Sequence, residues 1–73
     1  MNVKISVVVP IFNEDGNIQT LYHRLTKTLI KINPQYEIIF VNDGSNDNSL
    51  QLIKSIRTKD SKVKFINFSK NRN

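Results

Sequence analysis

Two stretches of this chain hold the residue types that could do chemistry. Asn42-Asp43-Gly44-Ser45-Asn46-Asp47-Asn48-Ser49 packs carboxylates, carboxamides and hydroxyls together directly after the apolar run Tyr36-Glu37-Ile38-Ile39-Phe40-Val41. Pro10-Ile11-Phe12-Asn13-Glu14-Asp15 does much the same after Lys4-Ile5-Ser6-Val7-Val8-Val9. Carboxylates repel phosphates but accept hydrogen bonds from base N–H groups and ribose hydroxyls, so Asn13, Glu14, Asp15, Asn42, Asp43 and Asp47 suit a nucleoside better than a bare phosphate. Fingerprints for other nucleotide sites are missing. The first turn holds only Gly16 where a dinucleotide site wants G-x-G-x-x-G, and no Gly-Lys-Ser or Gly-Lys-Thr of a P-loop occurs.

The elements that must position these residues follow from periodicity. Lys4 to Pro10 is rich in β-branched residues and predicts a strand closed by a proline that cannot donate to a ladder. Ile18, Leu21, Tyr22, Leu25, Leu29 and Ile32 form a helical stripe that Asn33-Pro34 stops. Asn13, Asp15 or Asn17 is available as its N-cap, and Glu14 and Asp15 suit the positive end of its dipole. The run Tyr36 to Val41 predicts a second strand, buried on both faces as in a parallel sheet. Leu50, Ile53 and Ile56 predict a second helix, with Asp47 accepting from an amide of its first turn. Lys62 to Phe68 alternates and predicts a half-exposed third strand. Crossovers this long allow parallel pairing, so the expected fold is α/β: a Rossmann-like three-strand parallel sheet in the order strand-helix-strand-helix-strand. In such sheets ligands bind outside the carboxyl ends of the strands, which is where Asp43 falls.

The 73 residues, taken as one unit (1–73), allow a single small domain. An open three-strand sheet leaves its edges and one apolar face poorly covered, so we expect the amino-terminal part of a larger, truncated domain, or pairing of two copies through an open sheet edge. There is no cysteine, so neither disulfides nor a cysteine-based zinc site can staple the chain, and a reducing, cytoplasmic location is allowed. Pro10 ends the first apolar run well short of the roughly 20 residues of a membrane span. The net charge of +5 is compatible with an anionic membrane surface. Its lysines and arginines are nevertheless spread over helix faces and loops, and no aromatic-interleaved basic stripe points to nucleic acid.

Pro10-Ile11-Phe12-Asn13-Glu14 and Val41-Asn42-Asp43-Gly44-Ser45-Asn46-Asp47-Asn48-Ser49, at this spacing and in this strand-helix order, resemble the two amino-terminal motifs of family 2 glycosyltransferases. The closest likeness is to the polyprenyl-phosphate branch, which includes dolichol-phosphate mannose synthases and bactoprenol glucosyltransferases. The resemblance implies a partial nucleotide-sugar-binding domain of the A-type glycosyltransferases. Its partners would be a nucleotide diphosphate sugar and a lipid-phosphate acceptor, the reaction a hexose transfer, and its location the cytoplasm or the cytoplasmic face of the membrane. Pro10, Phe12 and Glu14 would line the nucleoside pocket, with Glu14 at the ribose. Asp43 would read the base, Gly44 and Ser45 would shape the turn beside it, and Lys70 would approach the donor. Asn42 stands where many members carry aspartate. The resemblance places the ligands of a Mg²⁺ or Mn²⁺ ion and the catalytic base downstream, so no catalytic or metal-binding residue is expected within the chain, which alone would be inactive.

Plainer roles compete for the same residues. Asp47 has a helix-capping role that needs no ligand, Asp43-Gly44 is a common turn pair, and Glu14 suits a helix start. Tyr22, Phe65 and Phe68 are expected in the core, His23 has no partner spacing for a metal, and Asn67-Phe68-Ser69 matches the N-glycosylation pattern by chance. The rival to an enzyme is a non-catalytic nucleotide-binding or interaction module that keeps only the half-fold. A dinucleotide-dependent oxidoreductase fragment is weaker, given the missing glycines.

Overall fold

A computed structural model describes residues 4–68, so the expectation for Lys70 lies outside the described residues. Strand β1 (Ile5–Ile11), helix α1 (Ile18–Ile32), strand β2 (Tyr36–Asp43), helix α2 (Ser49–Lys59) and strand β3 (Val63–Phe68) follow one another. The strands form one parallel sheet in the order β1-β2-β3. This is the Rossmann-like α/β arrangement expected from the sequence. Strand β1 continues through Pro10 to Ile11, because on an edge strand the missing N–H can face away from the partner.

Both crossovers step in the same direction across the sheet, and right-handed connections then put α1 and α2 on the same face. Burial along β2 alternates accordingly. Tyr36, Ile38, Phe40 and Asn42 are buried beneath the helices, whereas Glu37, Ile39 and Val41 on the other side are only half-buried. The expectation that β2 is buried on both faces is therefore corrected: a sheet with one helical layer has one dry face. Ile18, Leu29, Ile53 and Ile56 from the helices close the core against Ile11, Ile38, Phe40 and Val63. On the opposite face Val8 and Ile66 stay 61% and 47% exposed.

Helix α1 buries Ile18 and Leu29 and packs Leu21, Tyr22 and Leu25 against the core, as its stripe requires. Ile32, the last of the stripe, remains exposed. The helix ends where Asn33 turns to an extended conformation and its side chain accepts the Gln35 amide at 2.9 Å. Tyr22 donates its phenol proton to Asp60 at 2.5 Å, and Asp60 also accepts the Lys62 amide at 3.0 Å. One carboxylate thus joins α1 to the turn between α2 and β3. Burial, reinforced by the hydrogen bond and the charge of Asp60, pushes the Tyr22 phenol up to about 12. On the uncovered face, Ser6 and Lys64 both donate to Glu37, and with Lys4 nearby they hold its carboxyl down at about 2. Among the described residues no helix is long and apolar enough to cross a membrane.

Candidate functional site

The β1–α1 and β2–α2 turns lie side by side at the carboxyl ends of the strands, because β1 and β2 pair in register up to Ile11 and Asn42. Four of the six acids, Glu14, Asp15, Asp43 and Asp47, gather there. Both helices begin at the same end, so their dipoles offset part of this negative charge.

Most of the polar side chains are engaged in tying one turn to the other. The Asn13 amide donates to Ser45 Oγ at 2.9 Å, and the Asn46 amide donates back to Asn13 Oδ1 at 2.7 Å. The Asp15 amide donates to Asp47 Oδ2 at 3.1 Å, and the Asn48 amide donates to Asp15 Oδ2 at 3.3 Å. The Glu14 amide donates to Ser49 Oγ at 3.0 Å, with Ser49 completely buried. The backbone bends to match. Gly44 has φ 72° and Asn13 has φ 51°, a left-handed conformation that asparagine accepts more readily than most residues.

Asp47 does accept from the first turn of α2, through the Ser49 amide at 2.9 Å, as the sequence suggested. Its other oxygen serves the Asp15 amide of the neighbouring turn. Desolvation opposes ionisation of Asp47, but the hydrogen bonds from Ser49 and Asp15 outweigh it and keep the carboxyl below the usual aspartate range. Asn17 is the N-cap residue of α1, without a capping side-chain bond. The turn is closed instead by the Glu14 carbonyl, which accepts the Asn17 and Ile18 amides at 2.8 and 3.1 Å. Glu14 and Asp15 precede the helix, whose first turn contains no acid.

Asp43 stands apart from this network. It is exposed at the end of the central strand, and its carboxylate makes no hydrogen bond among the described residues. Strand alternation sends Asn42 beneath the helices and Asp43 to the uncovered face. Its neighbour in register on β3 is Phe68, 53% exposed, and Phe12 follows the last paired residue of β1 and is 48% exposed. The placement of Phe68 in the core is thereby corrected: the uncovered face leaves its ring open. Pro10 lies one row below, exposed beside Val41. Glu14 is exposed, and its carboxylate accepts the Asn17 side-chain amide at 3.2 Å. Ser45 is held by Asn13 and Asn42, and Gly44 makes the turn. The structure thus gathers Pro10, Phe12, Glu14, Asp43, Gly44 and Ser45 at one end of the sheet. Sequence reasoning gave Ser49, the last residue of the second motif, no role of its own and Asn67 no part in the site, and the pairing of β2 with β3 brings Asn67 there.

The described residues contain no group of three acids, histidines or cysteines able to hold a metal ion. Both carboxylate oxygens of Asp47 and Oδ2 of Asp15 accept backbone amides.

A parallel half-sheet with one helical layer and acidic, aromatic-flanked strand ends defines a Rossmann-like α/β unit. Residues 6–73 match the model of glycosyl transferase family 2, and the chain belongs to that family. It is 43% identical over 67 residues to CsbB of Bacillus subtilis (strain 168), named as a glycosyltransferase, covering 92% of this chain and 20% of that protein. It is 39% identical over 70 residues to YkcC of the same organism, also named as a glycosyltransferase, covering 96% of this chain and 22% of that protein. An undecaprenyl-phosphate 4-deoxy-4-formamido-L-arabinose transferase of Proteus mirabilis (strain HI4320) is 39% identical over 51 residues, covering 70% of this chain and 16% of that protein. The chain spans about a fifth of the length of these relatives. The likeness seen in Pro10 to Glu14 and Val41 to Ser49, including its leaning toward the polyprenyl-phosphate branch, is borne out.

Proposed function

We propose that this chain forms the nucleoside-binding part of the donor site of a glycosyltransferase that moves a hexose from a nucleotide diphosphate sugar to a lipid phosphate. The observation that carries the nucleoside part is Asp43: an exposed carboxylate with no hydrogen-bond donor among the described residues, at the end of the central strand, with exposed Phe12 just past the end of β1 and exposed Phe68 on β3. A carboxylate there accepts the ring N–H of a uracil or guanine, and an exposed ring beside it gives the base a surface on which to stack. Glu14, exposed on the adjacent turn, accepts in this reading from a ribose hydroxyl. Family membership supports the transfer reaction, and the undecaprenyl-phosphate transferase among the relatives supports a lipid-phosphate acceptor. The divalent ion implied by the resemblance finds no ligand set among the described residues, and the roles assigned to them stop at the nucleoside.

Titration calorimetry of the chain with UDP, GDP and their sugars tests this. One base should bind in preference to the other. Asp43→Ala should weaken that binding about 10- to 100-fold, the worth of a hydrogen bond to a charged group. A folded chain that binds neither nucleotide, or binds one equally well without Asp43, would refute the assignment.

A further inference from the structure

Asn67 is an exposed residue near the end of β3, matching a glycosylation pattern and absent from the motifs that define the site. Its side chain is nevertheless the terminus of a hydrogen-bond chain that crosses all three strand ends. The Asn46 amide donates to Asn13 Oδ1 at 2.7 Å, and the Asn13 amide donates to Ser45 Oγ at 2.9 Å. The Ser45 hydroxyl donates to Asn42 Oδ1 at 2.5 Å, and Asn42 Nδ2 donates to Asn67 Oδ1 at 2.9 Å. From the Asn13 amide onward the donors run in one direction, toward β3, and through the Ser45 hydroxyl and the Asn42 carboxamide, which both accept and donate, each bond polarises the next. Asn42 is 2% exposed, so its carboxamide has few alternatives to these two partners.

We propose that Asn67 is a positioning residue: acting through Asn42 and Ser45, it fixes the backbone of the two turns that carry Glu14 and Asp43. The chemistry required at position 67 is an acceptor. Asn42 must accept from Ser45 with its oxygen, which leaves only its N–H₂ group to face β3. Removing the acceptor frees Asn42 to rotate, and Ser45 then loses the partner that orients its hydroxyl toward the Asn13 amide. The end of β3 and the nucleoside crevice are thereby coupled without any contact of Asn67 with the ligand. The significance of this coupling for binding rests on the nucleoside role proposed above, whereas the coupling itself does not.

The test uses the full chain with Asn67→Ala, which removes the acceptor, and Asn67→Asp, which keeps it. Amide hydrogen exchange at Asn13 and Asn46 is followed by NMR without nucleotide, and UDP and GDP affinity by calorimetry. In Asn67→Ala both amides should exchange about fivefold faster or more, and the affinity for the preferred nucleotide should fall by a similar factor, the worth of one neutral hydrogen bond. Asn67→Asp should restore both. Unchanged exchange at Asn13 and Asn46 in Asn67→Ala would overturn the proposal, as would failure of Asn67→Asp to rescue. Accelerated exchange in a chain that binds no nucleotide would uphold the positioning role and remove the nucleoside reading instead.

Discussion

Replacing Ser49 with alanine should loosen both turns at once, although the change deletes a single oxygen. Ser49 is completely buried; its Oγ accepts the Glu14 amide at 3.0 Å, and its side chain helps to hold the Asp47 carboxyl below the usual aspartate range. In Ser49→Ala the Glu14 amide loses its partner in this part-buried bond. A neutral hydrogen bond of this kind contributes about 0.5–1.5 kcal/mol. Asp47 keeps the Ser49 and Asp15 amides, so the loss on that side is smaller. A total of about 1 kcal/mol corresponds to a fall in melting temperature of roughly 4–8 °C for a domain of this size. Circular dichroism melts at pH 7 should be compared with Ser55→Ala, an exposed serine of the same helix that carries the propensity gain of alanine without the buried bond. If Ser49→Ala melts within about 3 °C of Ser55→Ala, the buried hydroxyl does not hold the turns and the reasoning fails. The acid limb gives a second reading. Because the folded-state pKa of Asp47 is depressed, its contribution is present above the ordinary aspartate range and disappears as pH falls through the folded value. Ser49→Ala should flatten that limb.

Two further titrations have opposite signs. Tyr22 is raised from 10.0 to about 12, so the fold favours the neutral phenol: its contribution is complete below pH 10, is lost as pH climbs toward 12, and Tyr22→Phe should remove that alkaline slope in melting temperature. Glu37 is lowered from 4.5 to about 2, so its contribution is complete above pH 4.5 and is lost between 4.5 and about 2; Glu37→Gln should be flatter than the unmodified chain across that window, and parallel curves would contradict the Ser6 and Lys64 contacts.

The elements of the fold were legible because each is announced locally. The stripe from Ile18 and the Asn33-Pro34 stop mark both ends of α1. Strand β2 runs to Asp43, past the apolar run that ends at Val41, because Asn42 and Asp43 pair with Asn67 and Phe68 on β3. Composition showed that the strand ends are acidic, but not how the acids divide. Asp15 and Asp47 turn to the neighbouring backbone while Asp43 stays open, and this depends on turns 32 or more residues apart meeting side by side. No local pattern encodes that meeting. The one-sided burial of β2 was misread for a related reason: a continuous apolar run looks the same whether helices cover one face or two, and only the strand order decides it.

The interlocked turns also bear on how the sheet finds its alignment. If β1 slipped two residues along β2, every side chain would keep its face, and the apolar layer would offer little resistance. The same slip would carry Asn13 about 6.6 Å away from Ser45 and Asn46, beyond the reach of any hydrogen bond. The turns can close only when the strands are correctly matched, so they measure the alignment that the core leaves ambiguous. Because those bonds join residues far apart in sequence, they should form after the helices, as the closing step of assembly.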